Sequence, residues 1–140
     1  MPFPAITHCL LCEDVRLERR RMSTLVGFYG AVPNVGILVK KFGEPLERLM
    51  FVFLSGPGEG EYAVSAEVRD TQGVRLAPPQ PPPSHRVTLS LQSAATQVAI
   101  GFQNIRFPQP GKYTIVLLVD GGEHYHSEFK VSAGQPEDFT

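Results

Sequence analysis

Residues 61–70, EYAVSAEVRD, alternate strictly: Tyr62, Val64, Ala66 and Val68 fall on one side, and Glu61, Ser65, Glu67 and Arg69 on the other. A period of two sends successive side chains to opposite faces of an extended strand. The division reads as an antiparallel strand, packed on one face and wet on the other. This period recurs along most of the chain and constrains it to sheets. RLMFVFLSG is apolar on both faces from 49 to 54, the pattern of a central strand. VAIGFQNIRF sets Val98, Ile100 and Phe102 together, then changes phase to Ile105 and Phe107, which predicts a bulge at Gln103 and Asn104. KYTIVLLVD and HYHSEFKVS read as strands joined by a short hairpin turn at GGE. In the front third, ITHCLLCEDVRLE and MSTLVGFYGAV read as strands around a turn at 19–21, and NVGILVKKF as another. EPLERL suits a brief helical turn, with Pro45 at its first position.

These strands and the turn signals between them predict an all-β fold: a single-domain, immunoglobulin-like antiparallel β-sandwich of about seven to nine strands, with little helix. Tyr113 stands at the mouth of an apolar strand, where a tyrosine in such sandwiches can bond back across a corner; the plainer reading is a half-buried ring that packs. One domain spans 1–140, with 133–140 as a flexible tail. Between VRLA and the strand RVTLSL stand five prolines in six positions. Proline lacks the backbone donor that a ladder needs, so 77–84 reads as a stiff crossover over the edge of the sandwich. It also reads as a ligand for an aromatic groove, which makes Pro79 and Pro82 candidate partner contacts.

With 42% hydrophobic and 19% charged residues, the chain has the means to bury a core. The net charge of −1 gives no general attraction to nucleic acid or to an anionic membrane. The opening residues lack the pattern of a secretory leader, and no apolar run approaches the roughly 20 residues of a membrane helix. The cytoplasm is therefore the expected compartment, and Cys9 and Cys12 are expected as semi-buried free thiols.

Candidate chemistry is sparse. In HYHSE, alternation projects His124, His126 and Glu128 from one polar face, and two such imidazoles can converge on a metal ion. CLLC lacks the second Cys pair of a zinc site. GPGEGE is followed by a strand where a phosphate loop needs a helix. Asp70 and Asp120 belong to turns, with no Asp-x-Asp cluster for calcium. His8 and Cys9, adjacent on a strand, point apart and make a poor catalytic pair. The basic run Arg19, Arg20 and Arg21 sits at a turn, offset by Glu13, Asp14 and Glu18; it reads as a solvated face or a partner contact. No catalytic residue and no cofactor follow from any of these.

CEDVRLERRRMSTLVGFYG, residues 12–30, resembles the opening of a family of small uncharacterised bacterial proteins, and FQNIRFPQPGKYTIVLLVDG, residues 102–121, resembles their closing strands. The resemblance spans most of the chain. It implies a β-sandwich, no established activity and no catalytic residues to carry across.

The expectation is a non-enzymatic protein-binding or scaffold module with a protein partner, meeting it through loops, the proline segment or an edge strand. A second reading is a metal sensor or metal-dependent enzyme built on His124 and His126. A third is a homo-oligomer joined through the apolar faces of TLVGFYG.

Overall fold

Ten strands form among the described residues of the computed structural model, which are 2–19, 22–79, 83–92 and 95–135. They are β1 (Ile6–Leu17), β2 (Ser23–Ala31), β3 (Gly36–Val39), β4 (Pro45–Ser55), β5 (Gly60–Arg69), β6 (Arg75–Ala77), β7 (His85–Leu89), β8 (Thr96–Arg106), β9 (Gly111–Val119) and β10 (Gly122–Ala133). Four make one sheet in the order β2-β1-β4-β8; six make the other, β3-β10-β9-β5 with β6 and β7 on β5. The chain passes repeatedly from one sheet to the other, so each sheet covers the apolar face of its neighbour.

The alternation sets the core. Phe51 and Phe53 on β4 point at β10, where Phe51 meets Phe129 at 5.6 Å and Phe53 meets Tyr125 at 6.0 Å between ring centroids. Phe129 also contacts Phe107 and stacks on Tyr113. Tyr113 is fully buried, and its hydroxyl donates to the Gln109 carbonyl at 2.6 Å. A buried hydroxyl without a partner costs about 1–3 kcal/mol, so this short local bond is what lets a tyrosine occupy the core.

Several expectations change. The strands number ten rather than seven to nine, and β3 pairs with β10 in parallel, so the sheets are not wholly antiparallel. EPLERL begins β4 instead of forming a helical turn, because Pro45 and Leu46 pair with Arg106 and Ile105. The change of phase in β8 is real, since Phe102 and Ile105 are both buried, but it is no bulge. β4 changes phase opposite it, with Leu46 beside Ile105 and Leu49 beside Phe102, and the register stays in step. Asn104 absorbs the change with a φ of 54°. The β9–β10 hairpin closes on Asp120 and Gly121, both at positive φ, as a two-residue turn twisted to suit its strands requires.

The proline segment joins two strand fragments that pair with β5, and its residues 80–82 lie outside the described residues. Val68 pairs with Ala77 of β6 and Ile115 of β9, and Val64 pairs with His85 of β7 and Val119 of β9. β6 and β7 therefore lie on the same side of β5 and form one edge strand with an interruption. Three residues of β5, 65–67, face that gap, while seven residues of chain join β6 to β7. At the other end, Ala133 is still part of β10 and Gly134 N donates to the Val39 carbonyl at 2.9 Å; 136–140 lie outside the described residues.

Phe129 is the ring at which the aromatic contacts of the two sheets converge. Phe129→Ala should destabilise the fold by about 3–5 kcal/mol, read from the midpoint of a denaturant transition with unchanged slope. Tyr113→Phe, which keeps the ring, should cost only about 1 kcal/mol.

Candidate functional site

β8 is the last strand of its sheet, and the interrupted edge of β5 lies across from it. Between the two runs a groove of about 930 Å³. Ile100, Phe102 and Ile105 of β8 form one wall, and Leu76, Pro78, Pro79 and Pro83 form the other. Ala66 of β5, itself almost fully buried, also lines the groove. The groove continues around β8 onto the outer face of its sheet, where Met50, Ala99 and Gly101 line it. The Met50 side chain occupies the place where a Cβ at 101 would stand. The lining holds three groups able to carry positive charge, Arg48, His85 and Arg106, and no carboxylate among the described residues.

The two arginines are held differently. Arg48 makes an ion pair with Asp14 at 3.0 Å. Arg106 donates to the Gly43 carbonyl at 2.9 Å and forms no ion pair among the described residues, so it is positioned without being neutralised.

The Asp14 contact belongs to a larger feature. β1 pairs with β4 only as far as Cys12, opposite Met50; its remaining residues pair with β2 alone. Gln97 of β8 donates to the Ser23 hydroxyl at 3.0 Å, although β1 and β4 lie between β2 and β8. The end of the β1–β2 hairpin therefore turns back across the outer face of its sheet. That return explains why Cys12 and Val52 are buried although neither belongs to the core between the sheets.

The His pair does not converge. The register of β10 slips between Glu123 and Tyr125, so His124 is the extra residue of a bulge and leaves the face that His126 occupies. The His124 ring packs edge-on against Phe3, and its Nε2–H donates to the Pro4 carbonyl at 2.9 Å. His126 instead pairs with Glu123 at 2.9 Å on the surface. Among the described residues no three His, Cys, Asp or Glu side chains gather as a metal site.

Asp70 accepts from the amides of Gln72 and Val74, and Asp120 accepts from the Ala63 amide; both serve turns. In GPGEGE the Glu59 carbonyl accepts from the Tyr62 hydroxyl, which closes the loop on itself. Arg19 is exposed at the end of the hairpin, where the Glu18 amide donates to Met22; Arg20 and Arg21 lie outside the described residues, as does Pro82. Pro79 is exposed and lines the groove. Of the candidates named from the sequence, the structure brings Pro79 to the groove with residues that were not singled out, Arg48, Ile100 and Arg106. The available signal was in VAIGFQNIRF, whose outward positions Ala99 and Gly101 are unusually small for a strand surface.

Cys9 and Cys12 are fully buried on opposite faces of β1, not semi-buried. Burial pushes the Cys9 thiol up to about 12 and raises Cys12 as well. Neither sulfur is therefore an available nucleophile near neutral pH.

A family model covers residues 8–132, and its description is a family of unknown function (DUF6941). The chain belongs to this family. Membership agrees with the resemblance carried by residues 12–30 and 102–121, and the family brings no established activity. The sequence matches no curated protein. Among solved structures, the chain is similar to the alkylpurine DNA glycosylase AlkC of Pseudomonas fluorescens, bound to DNA containing an abasic site analog. That likeness has 15% identity and a TM-score of 0.42, over 73% of this chain and 28% of the other. This chain thus spans little more than a quarter of that protein's length. None of the described residues forms a helix long and apolar enough to cross a membrane.

The cysteine burial is directly measurable. In the folded state Cys9 holds its proton from 9.0 up to about 12, so the stability this gives is complete below 9.0 and is lost as pH rises toward about 12. At about pH 8, iodoacetamide should leave both thiols unmodified in the native protein and alkylate both in denaturant. The alkaline loss of stability should be shallower in Cys9→Ala.

Proposed function

We propose that this chain is a non-enzymatic protein-binding module that takes an extended segment of its partner into the groove beside β8. The observation that carries this reading is the juxtaposition of two strand edges that have no ladder partner among the described residues: the outer side of β8 and residues 65–67 of β5. A strand laid along β8 would find main-chain donors and acceptors already aligned, with apolar pockets for alternate side chains. The described lining contains no thiol, hydroxyl or carboxylate to serve as nucleophile or base beside His85, which favours recognition over catalysis.

We further read the two facing sheets as an immunoglobulin-like sandwich. The Tyr113 bond to the carbonyl four residues upstream, at the entry of β9, has the form of a tyrosine corner and supports this. Two unpaired thiols suit a reducing compartment, which supports the cytoplasm as its location.

A second reading, association of copies of this chain, is favoured by one observation. Leu17, Met22 and Phe28 are strongly exposed on the β1–β2 hairpin, at 86, 59 and 57%. An edge strand with uncovered apolar side chains invites pairing with its like.

A photo-crosslinking residue at Ala99, in the groove, should yield a discrete protein adduct in the native cell. The same residue at Glu128, exposed on β10, should not. Equal labelling from the two sites, or none from Ala99, would remove the groove as the contact surface. An adduct of twice the chain mass would favour self-association.

A further inference from the structure

We infer that the groove selects an acidic extended segment, one that pairs its backbone with β8, seats an apolar side chain over Gly101 and sets a carboxylate on Arg106. This rests on the reading of the groove as a protein-binding surface and adds the chemistry of the partner.

The charges decide the sign. Every ionisable group described in the lining, Arg48, His85 and Arg106, is a base. Arg48 already carries Asp14, whereas the Arg106 guanidinium is fixed by a neutral carbonyl and keeps its full charge. A planar guanidinium held in place loses little entropy when a carboxylate docks on its fork, so it favours a carboxylate over a neutral amide.

The shape decides the spacing. On the outer row of β8, Ala99 and Gly101 are small and exposed, leaving a shallow trough backed by Met50. Gln103 and then Arg106 continue the row, because the turn of the backbone at Asn104 brings Arg106 out while Ile105 goes in. Gly101 and Arg106 are five residues apart on one strand, roughly 16 Å. A regular strand paired with β8 runs at the same rise but alternates strictly, so its apolar and acidic residues, to share one face, must stand four or six positions apart. The apolar character of both walls, Ile100 and Phe102 facing the prolines, suits a peptide better than a phosphate backbone.

The test is to pan a display library of random dodecapeptides against the full chain, then measure the enriched peptides by fluorescence anisotropy. The expected binders are rich in Asp and Glu, with an apolar residue four or six positions from an acidic one. Arg106→Gln should weaken them about tenfold, the scale of one charge-assisted contact. Ala99→Glu should abolish binding, and both variants should melt with the parent. If Arg106→Gln melts early, Arg106→Lys takes its place; it keeps the charge but loses the fork, and should weaken the acidic binders severalfold. Binders without acidic enrichment that are still lost in Ala99→Glu would overturn the acidic preference and leave the groove as a peptide site. Failure to enrich any binder, or binders indifferent to Ala99→Glu, would overturn both. Oligo-dT bound as tightly as the best peptide would assign the arginines to phosphate and also overturn the inference.

Discussion

Everything in this molecule depends on two sheets having one apolar face each and nowhere to bury them except against each other. The constraint is tightest at Phe129, which contacts Phe51 from the opposite sheet and Phe107 and Tyr113 beside it. Large rings at this point fix the spacing of the layers, and a gap there would forfeit contacts on every side. Tyr113 is admitted because its hydroxyl is satisfied four residues away. The same bond pins the loop before β9 to the core, so local chain geometry and core packing are decided together.

Two open sheets have four edges, and the chain treats them differently. β2 carries its hairpin back over its own sheet, tied by Asp14 to Arg48 and by Ser23 to Gln97. β3 is four residues long, too short to template much. The edge formed by β6 and β7 is broken by prolines. β8, at eleven residues, is left long and open, checked only by the left-handed Asn104 and the charge of Arg106. Unpaired edges of this length are usually blunted in soluble proteins. An edge without a ladder partner among the described residues, beside Pro78, Pro79 and Pro83, is the feature on which the proposed strand-binding reading rests.

Much of the fold was legible in the alternation, because a period of two is imposed by backbone geometry and survives in any context. Tyr62, Val64, Ala66 and Val68 lie on the core side, as their spacing implies. What escaped the sequence was non-local. The return of the β1–β2 hairpin depends on Gln97 meeting a serine 74 residues earlier, and no local pattern records that. The slip at His124 escaped for a different reason. A bulge is invisible to alternation unless apolar residues mark both phases, and HYHSE offers polar residues on the side where the mark would be needed. In β8 the apolar residues did mark both phases, and the change was seen; its partner in β4 was masked by Pro45, which suggested a helix start. The groove was illegible because its walls come from separate segments, 76–79 with Pro83 and 100–105, that do not pair with each other among the described residues.

The prolines tie these observations together. A continuous strand from 75 to 89 would have covered β5 along its whole edge and closed the space beside β8. Proline cannot donate to a ladder, which accounts for the interruption, and 65–67 of β5 have no ladder partner on this side among the described residues. The two strand fragments on either side keep the edge anchored, with Ala77 and Leu89 buried in the core. Paired structure therefore flanks the interruption at both ends. On the proposed reading, a strand laid along β8 would meet a neighbouring edge that is already anchored on both sides of the interruption, which lowers the entropic cost of docking.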